Sequence, residues 1–123
     1  METRHINLEE NCAEITARSA MLDGSKFMDV SMRNIRITDA DLSDLHIEGA
    51  QLGGAYFENI GLPPEDHPGH DPALRQRPLT FRKCDLNGST FDNCDLSGVE
   101  IVDCDISGLK INGVLIQELF NRK

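Results

Sequence analysis

Three sets of residues have types and spacings that chemistry could use. His67 and His70 form an HxxH pair flanked by Asp66 and Asp71, a donor set that could hold zinc or a similar ion. Cys84, Cys94 and Cys104 recur at intervals of ten residues, and paired carboxylates occur along much of the chain. A stable metal site needs three or four ligands on a backbone rigid enough to fix them. The two histidines lie instead among prolines and polar residues, and they read as solvent-exposed side chains of a loop. His5 and His46 are isolated in sequence and have no evident catalytic partner. No CxxC or CxxH spacing accompanies the cysteines, and Cys12 stands apart from them. The glycines do not cluster ahead of a helix, as a phosphate-binding loop requires. No catalytic residue, metal ligand or cofactor is therefore expected.

The elements that must position these residues are announced by a period of five. A large apolar residue stands at every fifth position from Leu22, Phe27 and Met32 to Leu62, and again from Phe81, Leu86 and Phe91 to Ile116. Two residues ahead of each stands a smaller partner, for example Ala20, Ser25 and Ala40, or Cys84, Ser89 and Cys94. Five residues advance a helix by about 500°, which would scatter the large side chains around the cylinder. Five is also odd, so a straight strand would throw successive large residues onto opposite faces. What remains is a short extended piece, inward at both apolar positions, followed by a turn that redirects the chain.

Turn formers occur where that reading needs them, two residues past each large position. They are Gly24, Asp29, Asn34, Asp39, Asp44, Gly49, Gly54 and Asn59, then Gly88, Asn93, Gly98, Asp103, Gly108 and Gly113. Glycine, asparagine and aspartate tolerate left-handed backbone or bond their own backbone in turns. Lys83, Pro64 and Glu118 are the exceptions. The ten-spaced cysteines fall at the small inward position, where Ala and Ser also occur, so they read as compact core residues with free thiols.

These features resemble the pentapeptide repeat family. The resemblance is carried by Ala40-Asp41-Leu42-Ser43-Asp44, Cys84-Asp85-Leu86-Asn87-Gly88, Cys94-Asp95-Leu96-Ser97-Gly98 and Cys104-Asp105-Ile106-Ser107-Gly108, within runs from 20 to 62 and 79 to 118. It implies an all-β fold, a right-handed quadrilateral β-helix in which four repeats make a coil of about 20 residues and the apolar positions stack inside. Four to five coils, each rising about 4.8 Å, would make a rod on the order of 20 to 25 Å long. On that geometry Cys84 and Cys104 stack on one face with Cys94 opposite.

The chain reads as one domain: an N-terminal cap over 1–19, repeats over 20–62, a Pro-rich loop over 63–78, repeats over 79–118, and a tail or cap over 119–123. Five prolines fall in the loop, and proline cannot donate to a coil ladder, so the stretch leaves the rod. It either replaces most of a coil or bulges from one corner. Long loops on rigid scaffolds often carry recognition. At the other end, Leu115 occupies a position that normally faces water, and Leu119 and Phe120 follow. Two readings stand: a plug folded over the last coil, or a homodimer interface through Leu115, Leu119 and Phe120.

Net charge is −9 over 123 residues, with most of the acids on the repeats. Direct nucleic-acid binding needs a basic patch, which this surface lacks, and no apolar segment is long enough to span a membrane. With no signal peptide evident, a cytoplasmic, reducing location is expected. The leading expectation is a non-enzymatic interaction or scaffold module for a protein partner, presenting the 63–78 loop with its His67 and His70. The alternative comes from the resemblance, since some pentapeptide repeat proteins mimic DNA and bind type II topoisomerases such as gyrase. Asp41, Asp44, Glu48, Asp85, Asp95 and Asp105 would carry that acidic surface here.

Overall fold

In a computed structural model that describes residues 2–120, the five-residue period is written into the backbone as a series of left-handed corners. Every expected turn position adopts positive φ, from Gly24 (79°), Asp29 (53°) and Asn34 (59°) through Asn93 (55°), Gly98 (73°) and Asp103 (51°) to Gly113 (81°). Lys83, whose side chain is an unusual choice there, is turned the same way at 55°. Ser19 also lies in register at 51°, so the first corner belongs to the stretch read as a cap.

The corners are of two kinds, and they alternate. At Leu22, Leu42 and Leu52, and again at Leu86, Leu96 and Ile106, the carbonyl accepts the amide three residues on, at 2.8–3.1 Å. The residue before the last of each such turn has φ near that of a type II turn: 79° at Gly24, 77° at Gly54 and Gly88. The intervening corners, at Asp29, Asp39, Asn59, Lys83, Asn93 and Asp103, are bends with φ of 51–55°, the left-handed helical well that Asp and Asn enter most readily. The structural unit is thus ten residues long, two repeats ending in different corners.

Contacts divide the chain into two units, Met1–Ala55 and Tyr56–Lys123, with the division inside the first run and ahead of the loop. In the first unit the inward positions are less exposed than the outward ones. Leu22, Ile37 and Leu42 are 48–58% exposed, against 79% and 75% for Met21 and Met28. The repeat therefore has its two sides. The stacked core expected from the sequence is not closed, however, because no described residue is buried. Residues 27–30 and 48–50 line a gap of about 400 Å³, and residues 17–19 and 38–39 line another of about 470 Å³. One repeat offers only two apolar side chains to one side, too few to bury each other. Cys84, Cys94 and Cys104, expected in the interior, are instead exposed, as is Cys12, and none is in a disulfide.

The regular elements lie at the C-terminal end of the second unit. Strand β1 (Lys110–Ile111) pairs antiparallel with β2 (Val114–Leu115), Lys110 opposite Leu115 and Ile111 opposite Val114. Asn112 and Gly113 join them with φ of 49° and 81°, positive at both central residues as a type I′ hairpin requires. Helix α1 (Ile116–Phe120) follows, and the Ile116 amide donates to the Leu109 carbonyl at 3.0 Å. Stretches assigned from the sequence to the last repeat and the tail thus form a hairpin and a short helix. Residues 121–123 of that tail, like residue 1 of the N-terminal cap, lie outside the described residues.

Candidate functional site

The acidic residues expected to form a recognition surface have backbone work to do. Asp85, Asp95 and Asp105 each stand just ahead of a hydrogen-bonded corner, and each Oδ1 accepts the amide two residues on. The acceptor distances are 3.0 Å from Asn87, 2.9 Å from Ser97 and 2.9 Å from Ser107. Asp41 does the same in the first unit, taking both the amide and the hydroxyl of Ser43. These are Asx turns, in which a short carboxylate satisfies a donor that the corner leaves outside any ladder. Hydrogen bonds from the Ser97 and Ser107 side chains, then from their backbone amides, hold Asp95 and Asp105 below the ordinary carboxylate range.

The other two acidic candidates sit differently. Asp44 is itself a left-handed corner, with φ of 64°. Glu48 faces His46 across 3.8 Å, with both side chains largely in solvent. The first unit thus carries Asp41, Asp44 and Glu48, and the second carries Asp85, Asp95 and Asp105 at one repeated position ten residues apart.

A thiol occupies a matching place at three of the other corners. Cys84, Cys94 and Cys104 donate Sγ–H to the carbonyls of Arg82, Asp92 and Val102 at 3.2–3.4 Å, bridging Lys83, Asn93 and Asp103. Both kinds of corner are therefore tied by a side chain, one by a carboxylate and one by a thiol. A signal for the ten-residue unit was present in the sequence. Within the regular repeats leucine fills large positions where the turn is hydrogen-bonded, at Leu22, Leu42, Leu52, Leu86 and Leu96, while Leu62, at the edge of the loop, has no such turn. Phenylalanine fills them only at bends, as at Phe27, Phe57, Phe81 and Phe91.

The 63–78 loop is braced by its own backbone. Successive turns close from the His67 amide to the Pro64 carbonyl at 2.9 Å, from His70 to His67 at 3.0 Å, and from Leu74 to Asp71 at 3.2 Å. The Asp71 Oδ1 accepts the Ala73 amide at 2.9 Å, and the Arg75 guanidinium donates to the carbonyls of Pro72 and Leu74, both at 3.1 Å. His67 Nδ1 accepts the Gly69 amide at 2.9 Å, and His70 Nδ1 lies 3.0 Å from the Pro63 carbonyl. Sequence reasoning placed both histidines in solvent; His67 is exposed, and His70 is half-buried. The loop uses a ring nitrogen of each. Among the described residues no group of three or more potential ligands comes together to hold a metal ion.

Residues 80–114 match the family model for pentapeptide repeats, in eight copies. Residues 80–114 are a pentapeptide repeat array. No curated protein and no solved structure matches the chain. The matched pentapeptide repeats contain Asp85, Asp95 and Asp105, the three cysteines and all three hydrogen-bonded corners of the second run, and they end on the β1–β2 hairpin. The loop and helix α1 lie outside the match. Of the residues expected at a C-terminal interface, Leu115 is half-buried beside half-buried Ile116, while Leu119 and Phe120 are exposed. No helix among the described residues is long and apolar enough to cross a membrane.

Proposed function

We propose that this protein is a non-enzymatic protein–protein interaction or scaffold module. Its repeats form a right-handed quadrilateral β-helix whose rigid body presents the 63–78 loop to a partner. The observation that carries this reading is the bracing of the loop. A segment outside the repeats, with five prolines and no strand or helix, is held by consecutive turns and by side chains that bond within it. Preorganised loops lose less entropy on binding than mobile ones. The coil geometry is supported by the corners repeating every five residues and by the facing of chain segments about 20 residues apart across the gaps in the first unit. The partner is a protein, and the location is a reducing one that leaves the thiols free.

The test replaces residues 64–77 with a short linker and follows retention of partners captured from the source cell by the intact chain. Loss of those partners, with far-ultraviolet dichroism unchanged, supports the loop as the recognition element. Undiminished capture overturns it.

A second reading, DNA mimicry towards a type II topoisomerase, draws on the net charge of −9 and on the regular spacing of Asp85, Asp95 and Asp105. The Asx turns explain those three aspartates without a partner, which is why this reading stands second. Supercoiling and relaxation assays with gyrase and topoisomerase IV, at two salt concentrations, separate the two. A mimic inhibits or protects, and does so less as salt rises.

A further inference from the structure

The two loop histidines use the same ring atom in opposite senses. A backbone amide can only donate, so His67 Nδ1, 2.9 Å from the Gly69 nitrogen, is an unprotonated acceptor and the ring proton is on Nε2. A carbonyl can only accept, so His70 Nδ1, 3.0 Å from the Pro63 oxygen, carries its proton. His67 is exposed. His70 is half-buried together with Pro63, and its bond ties the two ends of an eight-residue segment.

We propose that the 63–70 segment is a pH-responsive latch in which protonation of His67 releases the 67–69 bond while the His70–Pro63 tie holds. Adding a proton at His67 Nδ1 turns the acceptor into a donor and leaves it facing the Gly69 N–H. Adding one at His70 Nε2 leaves the Nδ1–H in place, now as a stronger, charge-assisted donor. Acid therefore opens the tip of the loop and tightens its base.

The surroundings bear directly on this response. Among the described residues the hydrogen-bond partners of both rings belong to the loop. The charged groups nearest them in sequence are Glu65, Asp66 and Asp71, with Arg75 and Arg77 further on. Asp71 is engaged by the Ala73 amide and Arg75 by the carbonyls of Pro72 and Leu74. Gly69 adds a steric condition. A Cβ there would stand 3.2 Å from His67 Nδ1 and 3.3 Å from Cε1, so the ring reaches the amide because position 69 has no side chain.

The experiment is nuclear magnetic resonance on the intact chain. Long-range ring correlations at about pH 8 are expected to give His67 as the Nε2–H tautomer and His70 as the Nδ1–H tautomer. Between about pH 8 and pH 5, where imidazole gains its proton, the protection of the Gly69 amide is expected to fall about fivefold, the worth of one ordinary hydrogen bond. In His67→Asn, whose carbonyl can accept the same amide at any pH, that protection is expected to stay flat. An Nδ1–H tautomer at His67, Gly69 protection that survives protonation of that ring, or the same fall in His67→Asn would each overturn the proposal.

Discussion

The Oδ1 of Asp95 accepts the backbone amide of Ser97 at 2.9 Å, and the corner it precedes closes at once, with the Val99 amide donating to the Leu96 carbonyl at 3.1 Å. Carboxylate and turn act in series. The side chain orients the second residue of the corner, and the backbone bond completes it. The same pairing occurs at Asp85 and Asp105, which makes the acidic character of these repeats partly a by-product of how their corners are built.

The depressed acidity of Asp95 and Asp105 sets the sign of a pH effect. Because their folded-state values lie below the ordinary carboxylate range, their contribution is fully present above about pH 4 and is lost as pH falls through the folded values. Thermal melts followed by circular dichroism should show an acid limb below about pH 4. Asp95→Asn with Asp105→Asn keeps an acceptor without the charge and should flatten that limb. Both groups are fully exposed, so the change is small, and an unaltered limb would count against the bonds.

Adjacent glycines at one corner should respond in opposite directions to the same substitution. Gly54 has φ of 77° and Gly53 does not enter the left-handed region, while a Cβ at either would meet nothing within 4 Å. Gly54→Ala should therefore destabilise by about 1–2 kcal/mol through backbone conformation alone. Gly53→Ala should stabilise by about 0.4–1 kcal/mol by restricting the unfolded chain. Urea midpoints of the two variants decide it.

Lys83 is the position where residue type and corner disagree. It adopts φ of 55° with a side chain that gains nothing from that conformation, whereas Asn93 and Asp103 stand at the equivalent sites. Lys83→Asn should raise stability by up to about 1 kcal/mol, read from the same denaturant midpoint. A fall would show that the lysine makes a contribution the corner geometry does not explain.

Phe120 is 72% exposed at the end of α1, and Leu119 beside it is 46% exposed. If this end joins two copies, light scattering should give a dimer for the intact chain and a monomer for Phe120→Asp. Equal masses for the two proteins would remove the C-terminal interface.

How much of this was legible without coordinates depends on the range of the interaction. The left-handed corners could be read residue by residue, because φ at Gly24, Asp29 or Asn93 is decided by sterics within the residue and its neighbours. The polarity of each repeat was legible for the same reason. The capping by Asp41, Asp85, Asp95 and Asp105 spans only two residues and lies within an Asp-Leu/Ile-Ser/Asn pattern, so it too was legible in the sequence. The hairpin at Asn112-Gly113 was masked because Gly113 also satisfied the period of five, which hid a second turn type behind the first.

What only the tertiary structure decided lies in partners that spacing does not specify. The bond from His70 to Pro63 spans seven residues, and the tie from Ile116 to Leu109 likewise. Which ring nitrogen accepts and which donates follows from the atom each one meets, and no residue type encodes that. Burial is the extreme case: the period marks which side chains are apolar, but no described residue is buried, because closing a core needs non-local contacts that no single repeat can supply.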